Sequence, residues 1–348
     1  MSNRQKMLGV LLTGLLFLGA AGCTQQDSGA YDQAMEALNL GNYNLAEEKL
    51  AEAELSDDRP AEAARGMGIL SLARGQYQEA MEYFEAAIEY AGAKNKTFIR
   101  DVKLYQAETF LAEEKLDEAE ELCRELLEEG KSGKAEIILG RICLLQEDPE
   151  AAQEHFTASV SAEQSYENYL AIYDLYVNAS MEADGAVFLE QALTLTPSDA
   201  EDYCSQGQVY YSLGETELAK TSFARAIDLG STEAVPMMGS LYLENQEIQA
   251  ARSMYQSYLN EAVRPAIAYN GLALCDLAEG DYDAALANIS KGLAEEDTEI
   301  RESLLLNEIA AYEYKLDFQT AKSKMEEFLA EYPENEAAVR ENLFLQSR

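Results

Sequence analysis

The side chains that could perform catalysis are few in this sequence. His155 is the only histidine among the 348 residues, so any catalytic set that needs a histidine would have to be built around it. It lies beside Phe156 in an amphipathic stretch, where a lone histidine at the edge of a helix surface is the simpler interpretation. Aspartate and glutamate number 64, so pairs of carboxylates on one helix face are expected by chance. We therefore predict no catalytic residues, no enzyme activity and no cofactor.

The cysteines do not form a metal-binding pattern. Cys123, Cys143, Cys204 and Cys275 have spacings that match no zinc motif, which predicts no metal site. Cys123 and Cys143 fall on core positions of a helical pattern, where cysteine behaves as a small apolar residue. Because their helices are expected to be neighbours, a disulfide in an oxidising compartment is the alternative to two buried thiols.

The fifth cysteine, Cys23, follows a targeting segment. A short basic head precedes the apolar run 7–18, which is too short to span a membrane. The run is followed by LGAAGC, which resembles the lipobox of bacterial lipoproteins. The resemblance implies a signal peptide over 1–22, lipidation of Cys23, and a lipid-anchored linker over 23–29 on the extracytoplasmic face of the cell membrane. An ordinary secretory signal and an uncleaved transmembrane helix are the alternatives.

The charge of the chain restricts its partners. The formal net charge is −38 and the pI is about 4.2, so the chain repels nucleic acid and anionic membrane surfaces. We therefore expect no nucleic-acid partner, and contact with a membrane through the lipid anchor only.

One stretch shows how the remaining chain is organised. Residues 200–229 contain two amphipathic helical patterns separated by Gly214. Gly207 in the first pattern and Ala219 in the second are small enough for close helix contact, and Phe223 fills the space beside it. This arrangement resembles the tetratricopeptide repeat (TPR), a helix–turn–helix unit of about 34 residues.

The same pattern recurs along the chain. A small residue opens the core of each second helix at intervals of 32–39 residues: Ala46, Ala80, Ala119, Ala152, Gly185, Ala219, Ala251, Ala285 and Ala321. The sequence predicts an all-α fold, a right-handed TPR α-solenoid of about nine helix–turn–helix repeats over 30–333. A C-terminal capping helix with a polar outer face is predicted in 334–348. The 39-residue interval places about five extra residues near 91–97, as a longer loop or an extended helix end.

In TPR proteins the first helices of the repeats line a concave face. Two predicted rows of first-helix positions are mostly apolar in this acidic chain. The candidate groove residues are Leu72, Leu104, Leu111, Ile137, Leu144, Leu170, Val177, Tyr211, Leu243 and Leu277, with the cations Arg65, Lys134 and Arg141 near the edges. Two interpretations remain open: adjacent repeats bury these side chains, or they form an apolar trough for a peptide or helix.

The leading functional hypothesis is a membrane-anchored TPR lipoprotein that acts as a protein–protein interaction scaffold at the bacterial cell envelope. The alternative is an accessory or chaperone-like factor for secretion or envelope assembly that uses the same groove. The sequence does not identify the protein or peptide partner.

Overall fold

The computed structural model describes residues 29–39, 41–56, 59–261, 264–295, 297–333 and 335–346. The predicted signal peptide over 1–22, Cys23 and all of the predicted linker except Gly29 lie outside these residues. The described residues form two compact units, one up to Leu195 and the other from Thr196.

The described part of the unit up to Leu195 forms ten helices. They are α1 (Ala30–Asn39), α2 (Tyr43–Ser56), α3 (Pro60–Ala73), α4 (Tyr77–Ala91), α5 (Lys96–Ala112), α6 (Leu116–Glu129), α7 (Gly133–Leu145), α8 (Pro149–Ala162), α9 (Tyr166–Asn178) and α10 (Glu182–Ala192). Consecutive helices pack in pairs, which form repeats one to five. The extra residues of repeat three lengthen its first helix, because α5 has 17 residues whereas α3 has 14.

The unit from Thr196 contains four further pairs and one last helix. They are α11 (Ala200–Ser212), α12 (Thr216–Asp228), α13 (Ala234–Glu244), α14 (Ile248–Glu261), α15 (Pro265–Glu279), α16 (Tyr282–Leu293), α17 (Thr298–Tyr314), α18 (Phe318–Glu331) and α19 (Glu336–Gln346). The predicted all-α fold of about nine helix pairs and a terminal helix is confirmed.

The turn inside each pair has one fixed backbone conformation. The residue five positions before the small core residue has a positive φ in all nine repeats: Gly41, Gly75, Glu114, Glu147, Ser180, Gly214, Gln246, Gly280 and Leu316. Glycine adopts this left-handed conformation at little cost, whereas other residues are strained in it. The repeat geometry therefore imposes the turn even where the sequence does not supply glycine.

Complementary sizes hold the two helices of a repeat together. A Cβ atom built on Gly207 would lie 2.5 Å from the ring of Phe223, so only glycine leaves room for that ring. In repeat five the small residue lies on the second helix and the large one on the first. A Cβ atom built on Gly185 of the second helix would lie 2.9 Å from Tyr176 of the first helix. The divergent sequence of repeat five therefore preserves the close contact by placing the bulk on the opposite helix.

The last helix differs from the prediction in its outer face. Ala338 and Leu345 of α19 are buried against the unit, whereas Val339 and Leu343 are exposed. The outer face is therefore a mixture of apolar and polar side chains rather than uniformly polar. Among the helices described, none combines the length and apolar character needed to cross a bilayer.

Candidate partner-binding surface

The candidate groove residues lie on the first helices of their repeats, but the two units expose them differently. In the unit up to Leu195, four predicted groove residues are buried: Leu72, Leu111, Ile137 and Leu144. Leu72 belongs to the core formed by repeats one to three, and Leu111 to the core formed by repeats three and four. At these four positions the structure agrees with burial by adjacent repeats, the first of the two interpretations, and not with an open trough.

Arg141 also differs from its predicted place at the edge of a groove. Its side chain is 1% exposed, and Nη1 donates a hydrogen bond of 2.9 Å to Oε2 of Glu108, in the first helix of the preceding repeat. Burial raises the pKa of Glu108, although Arg141 opposes this, and burial lowers the pKa of Arg141. A charge held this deeply joins repeats three and four and does not contact a ligand.

Arg65 is half-buried and joins three successive repeats. It donates hydrogen bonds of 2.6 Å to the Tyr31 hydroxyl and to Oδ2 of Asp101, and its guanidinium lies 5.2 Å from the centre of the Phe98 ring. Burial acts to lower the pKa of Arg65, but Tyr31 and Asp101 outweigh it and the net shift is upward. The charge of Arg65 is therefore neutralised within the unit.

The other predicted residues of this unit retain some exposure. Leu104, Leu170, Val177 and Lys134 are half-buried. Lys134 has no ion-pair partner among the described residues. These four stay candidates for contact with a partner.

In the unit from Thr196 the corresponding first-helix positions are more open. Tyr211 is 45% exposed, and Leu243 and Leu277 are half-buried. The Tyr211 hydroxyl donates a hydrogen bond to Oε1 of Glu244, in the first helix of the next repeat. That hydrogen bond is the main reason why the pKa of Tyr211 rises to about 12, so the ring stays neutral and its hydroxyl remains a donor.

Sequence reasoning missed two carboxylates on this surface. Glu201 in the first turn of α11 and Glu233, which precedes α13, are both exposed. Desolvation by surrounding protein raises the pKa of Glu233, and the nearby Glu201 raises it further, while Arg264 lowers it. The recurrence of an acid at this position in successive first helices was the signal in the sequence.

Three side chains lie between these acids and Tyr211. The sulfur of Met237 accepts a hydrogen bond of 3.3 Å from Nε2 of Gln208 and lies 3.7 Å from Sγ of Cys204. Burial raises the pKa of Cys204 to about 11, and Glu233 contributes to the rise. The thiol is therefore neutral and acts as packing beside the half-buried thioether.

The residues that could suggest other chemistry have structural roles. Nδ1 of His155 lies 2.7 Å from Oε2 of Glu136, on the first helix of the same repeat. Cys123, Cys143, Cys204 and Cys275 are not bonded; Cys143 is half-buried and the other three are buried. The described parts of the chain contain no group of histidine, cysteine, aspartate or glutamate side chains able to hold a metal.

Comparison with known families identifies the repeats. Models of the tetratricopeptide repeat match residues 31–95 and 237–296, and a further model of the same repeat matches 201–229. No curated protein matches the chain.

Solved structures resemble the described fold at low sequence identity. Yeast Tom70 is 13% identical over 88% of this chain and 79% of that chain, with a TM-score of 0.51. The Cut9–Hcn1 hetero-tetramer of APC/C is 13% identical over 95% of this chain, which spans 65% of the length of that one, with a TM-score of 0.47. A tetratricopeptide repeat protein from Parabacteroides merdae is 15% identical over 71% of this chain and 99% of that chain, with a TM-score of 0.39. The chain thus carries tetratricopeptide repeats, and its fold is a tetratricopeptide-repeat α-solenoid.

Proposed function

We propose that this protein is an interaction scaffold at the envelope of a bacterial cell, anchored by a lipid on Cys23 to the extracytoplasmic face of the membrane. The observation that carries the binding role is the series of nine helix pairs, whose first helices repeat one set of positions. Tetratricopeptide repeats typically bind protein partners, and a fold that positions many equivalent helices is suited to that role. The sequence LGAAGC supports the anchor.

Crosslinking in membranes tests the scaffold role. The full chain is crosslinked in cells, purified from the membrane fraction, and its adducts are identified and quantified. A scaffold predicts one or a few partners in fixed stoichiometry. Many unfolded clients without fixed stoichiometry would instead indicate the chaperone-like alternative, and absence of any specific adduct would contradict both.

The anchor is tested separately by Cys23→Ala. This variant is expected to remain as uncleaved precursor and to lose incorporation of a radiolabelled fatty acid. Ser28→Ala is the matched control, because it alters the same segment outside the predicted lipidation motif. Normal labelling of the Cys23→Ala protein would contradict the lipoprotein assignment without bearing on the scaffold role.

A further inference from the structure

We propose that the first helices of repeats six and seven bind a polypeptide segment in which one apolar side chain lies between two basic side chains. The inference rests on the proposed scaffold function and names the chemistry of the partner. The surface consists of Glu201, Glu233, Met237, Tyr211 and Glu244, and we refer to it as the acidic strip.

One end of the acidic strip carries two carboxylates that form no ion pair with the described residues. Glu201 and Glu233 are exposed, and the pKa of Glu233 is raised first by desolvation and then by the nearby charge of Glu201. Arg264, whose charge acts on Glu233, forms its ion pair with Asp297 at 2.7 Å. A lysine or arginine of a partner would relieve this repulsion.

The middle of the strip is apolar and adaptable. Met237 is half-buried between the two helices, with its sulfur against Gln208 and Cys204. A thioether on a flexible chain adjusts to apolar side chains of different shapes. This point of contact favours an aliphatic residue between the two basic ones.

The other end pairs an aromatic ring with a carboxylate. Tyr211 is the exposed large apolar side chain of this strip, and its hydroxyl holds Glu244 in place. A cation that approaches Glu244 would also lie near the Tyr211 ring, whose face attracts cations. Tyrosine exposed on a binding surface is a frequent source of affinity, because its rigid ring buries much area at low entropic cost.

The dimensions of the strip set the spacing of the partner's residues. Glu201 and Tyr211 are separated by ten residues along α11, which corresponds to about 15 Å at the rise of an α-helix. An extended segment advances about 3.3 Å per residue, so two basic residues four positions apart span about 13 Å. The expected pattern is therefore basic–x–apolar–x–basic in an extended segment.

Two acids on the first helices of the unit up to Leu195 are instead paired within the chain. There the acids Asp101 and Glu108 are neutralised by Arg65 and Arg141 of the same unit. Glu201 and Glu233 have no such partner among the described residues, so a cation of a partner could approach them.

A defined peptide tests the inference. The probe is the fluorescein-labelled peptide Ser-Lys-Ser-Leu-Ser-Lys-Ser, and its fluorescence anisotropy is measured with the full chain in non-ionic detergent. We expect it to bind at least about tenfold more tightly than the same peptide with glutamate in place of lysine. Replacing its leucine by serine should weaken binding about threefold. Equal binding of the basic and acidic peptides would overturn the proposal.

Two variants locate the binding. Glu201→Gln with Glu233→Gln should weaken binding of the basic peptide about tenfold. The matched control, Glu215→Gln with Asp228→Asn, removes the same charge from the second-helix side of repeat six and should change binding less than twofold. Equal losses of peptide affinity in the two double variants would overturn the proposal. The peptide would then be attracted by the overall negative charge of the chain and not by the acidic strip.

Two further results separate this inference from the scaffold role. If no peptide binds but membrane crosslinking still yields a stoichiometric partner, the chemistry of the strip is wrong and the scaffold stands. If the full chain self-associates on sedimentation and Tyr211→Ala abolishes the association, a second copy occupies the strip and the proposal is overturned.

Discussion

Leu144 and Leu243 occupy the same position of their repeats, three residues before the turn, but their surroundings differ. Leu144 is 7% exposed in the unit up to Leu195, whereas Leu243 is half-buried in the unit from Thr196. In the first unit the preceding repeats have leucine at this position, and it is buried in each of them. In the second unit the position is Tyr211, Leu243, Leu277 and Glu313, all of them at least partly open to solvent, as is Val177 in repeat five of the first unit.

The difference shows that one repeat geometry can serve two purposes. In the unit up to Leu195 the first helices use apolar burial and the ion pairs of Arg65 and Arg141 to hold successive repeats together. In the other unit the hydrogen bond from Tyr211 to Glu244, in the next repeat, leaves both side chains at the surface. Binding is therefore expected where packing leaves side chains unsatisfied.

The largest effect is expected from a charge placed at the shared leucine position. Leu144→Asp should lower the free energy of unfolding by about 4 kcal/mol, because it removes a buried side chain and buries a carboxylate. Leu243→Asp should cost about half as much, since solvent reaches that position. Urea denaturation followed by circular dichroism measures both, and equal losses would remove the distinction between the two units.

The buried ion pair provides the second test. Arg141→Met should cost about 3 kcal/mol, because it leaves Glu108 buried without its partner. Adding Glu108→Leu should restore most of the stability, since an apolar pair of similar size avoids the desolvation of both charges. In contrast, Glu201→Gln with Glu233→Gln should not destabilise the fold. A loss there comparable to that of Arg141→Met would show that the strip is structural.

The turn residues should behave alike in both units. Leu316→Gly and Glu147→Gly should each raise the free energy of unfolding by about 1 kcal/mol, because glycine relieves the left-handed backbone strain at φ 61° and 63°. Gly214→Ala is the control and should lower the free energy of unfolding, because alanine is strained in the same left-handed conformation. If the free energy of unfolding rose for only one of the two variants, the two units would differ in their turns as well as in their first-helix surfaces.

The smallest effect concerns Asp174, an exposed carboxylate on the first helix of repeat five. Desolvation raises its pKa to about 6 in the folded chain, above the value of about 3.9 expected when unfolded. Ionisation therefore costs folding free energy, and this cost grows as pH rises from about 4 to above 6. Asp174→Asn should raise the melting temperature at pH 7 by on the order of 1 °C, and the gain should vanish below pH 4. A difference that persists at pH 3.5 would contradict this assignment.

The sequence was sufficient for the fold because each repeat contains its own local signals. The small residue of the second helix and the turn five positions earlier recur at the same intervals, so even Glu114 and Leu316 could be placed without a turn glycine. The surface was less predictable, because burial of a first-helix side chain depends on the neighbouring repeat. Leu144 and Leu243 are the same residue type at the same position of the repeat, yet only Leu144 is buried. Nothing in the sequence indicated that Arg141 is paired, because its partner Glu108 lies 33 residues earlier in the chain.

The measurement that tests the account most directly is photo-crosslinking from two positions of repeat six. Tyr211 on its first helix and Leu218 on its second helix are almost equally exposed, at 45% and 46%. A photoreactive phenylalanine analogue is incorporated at one or the other position of the full chain in cells. Binding on the first-helix surface predicts a discrete partner adduct from position 211 and little from position 218. Adducts of equal yield from both positions, or from position 218 alone, would contradict binding on the first-helix surface.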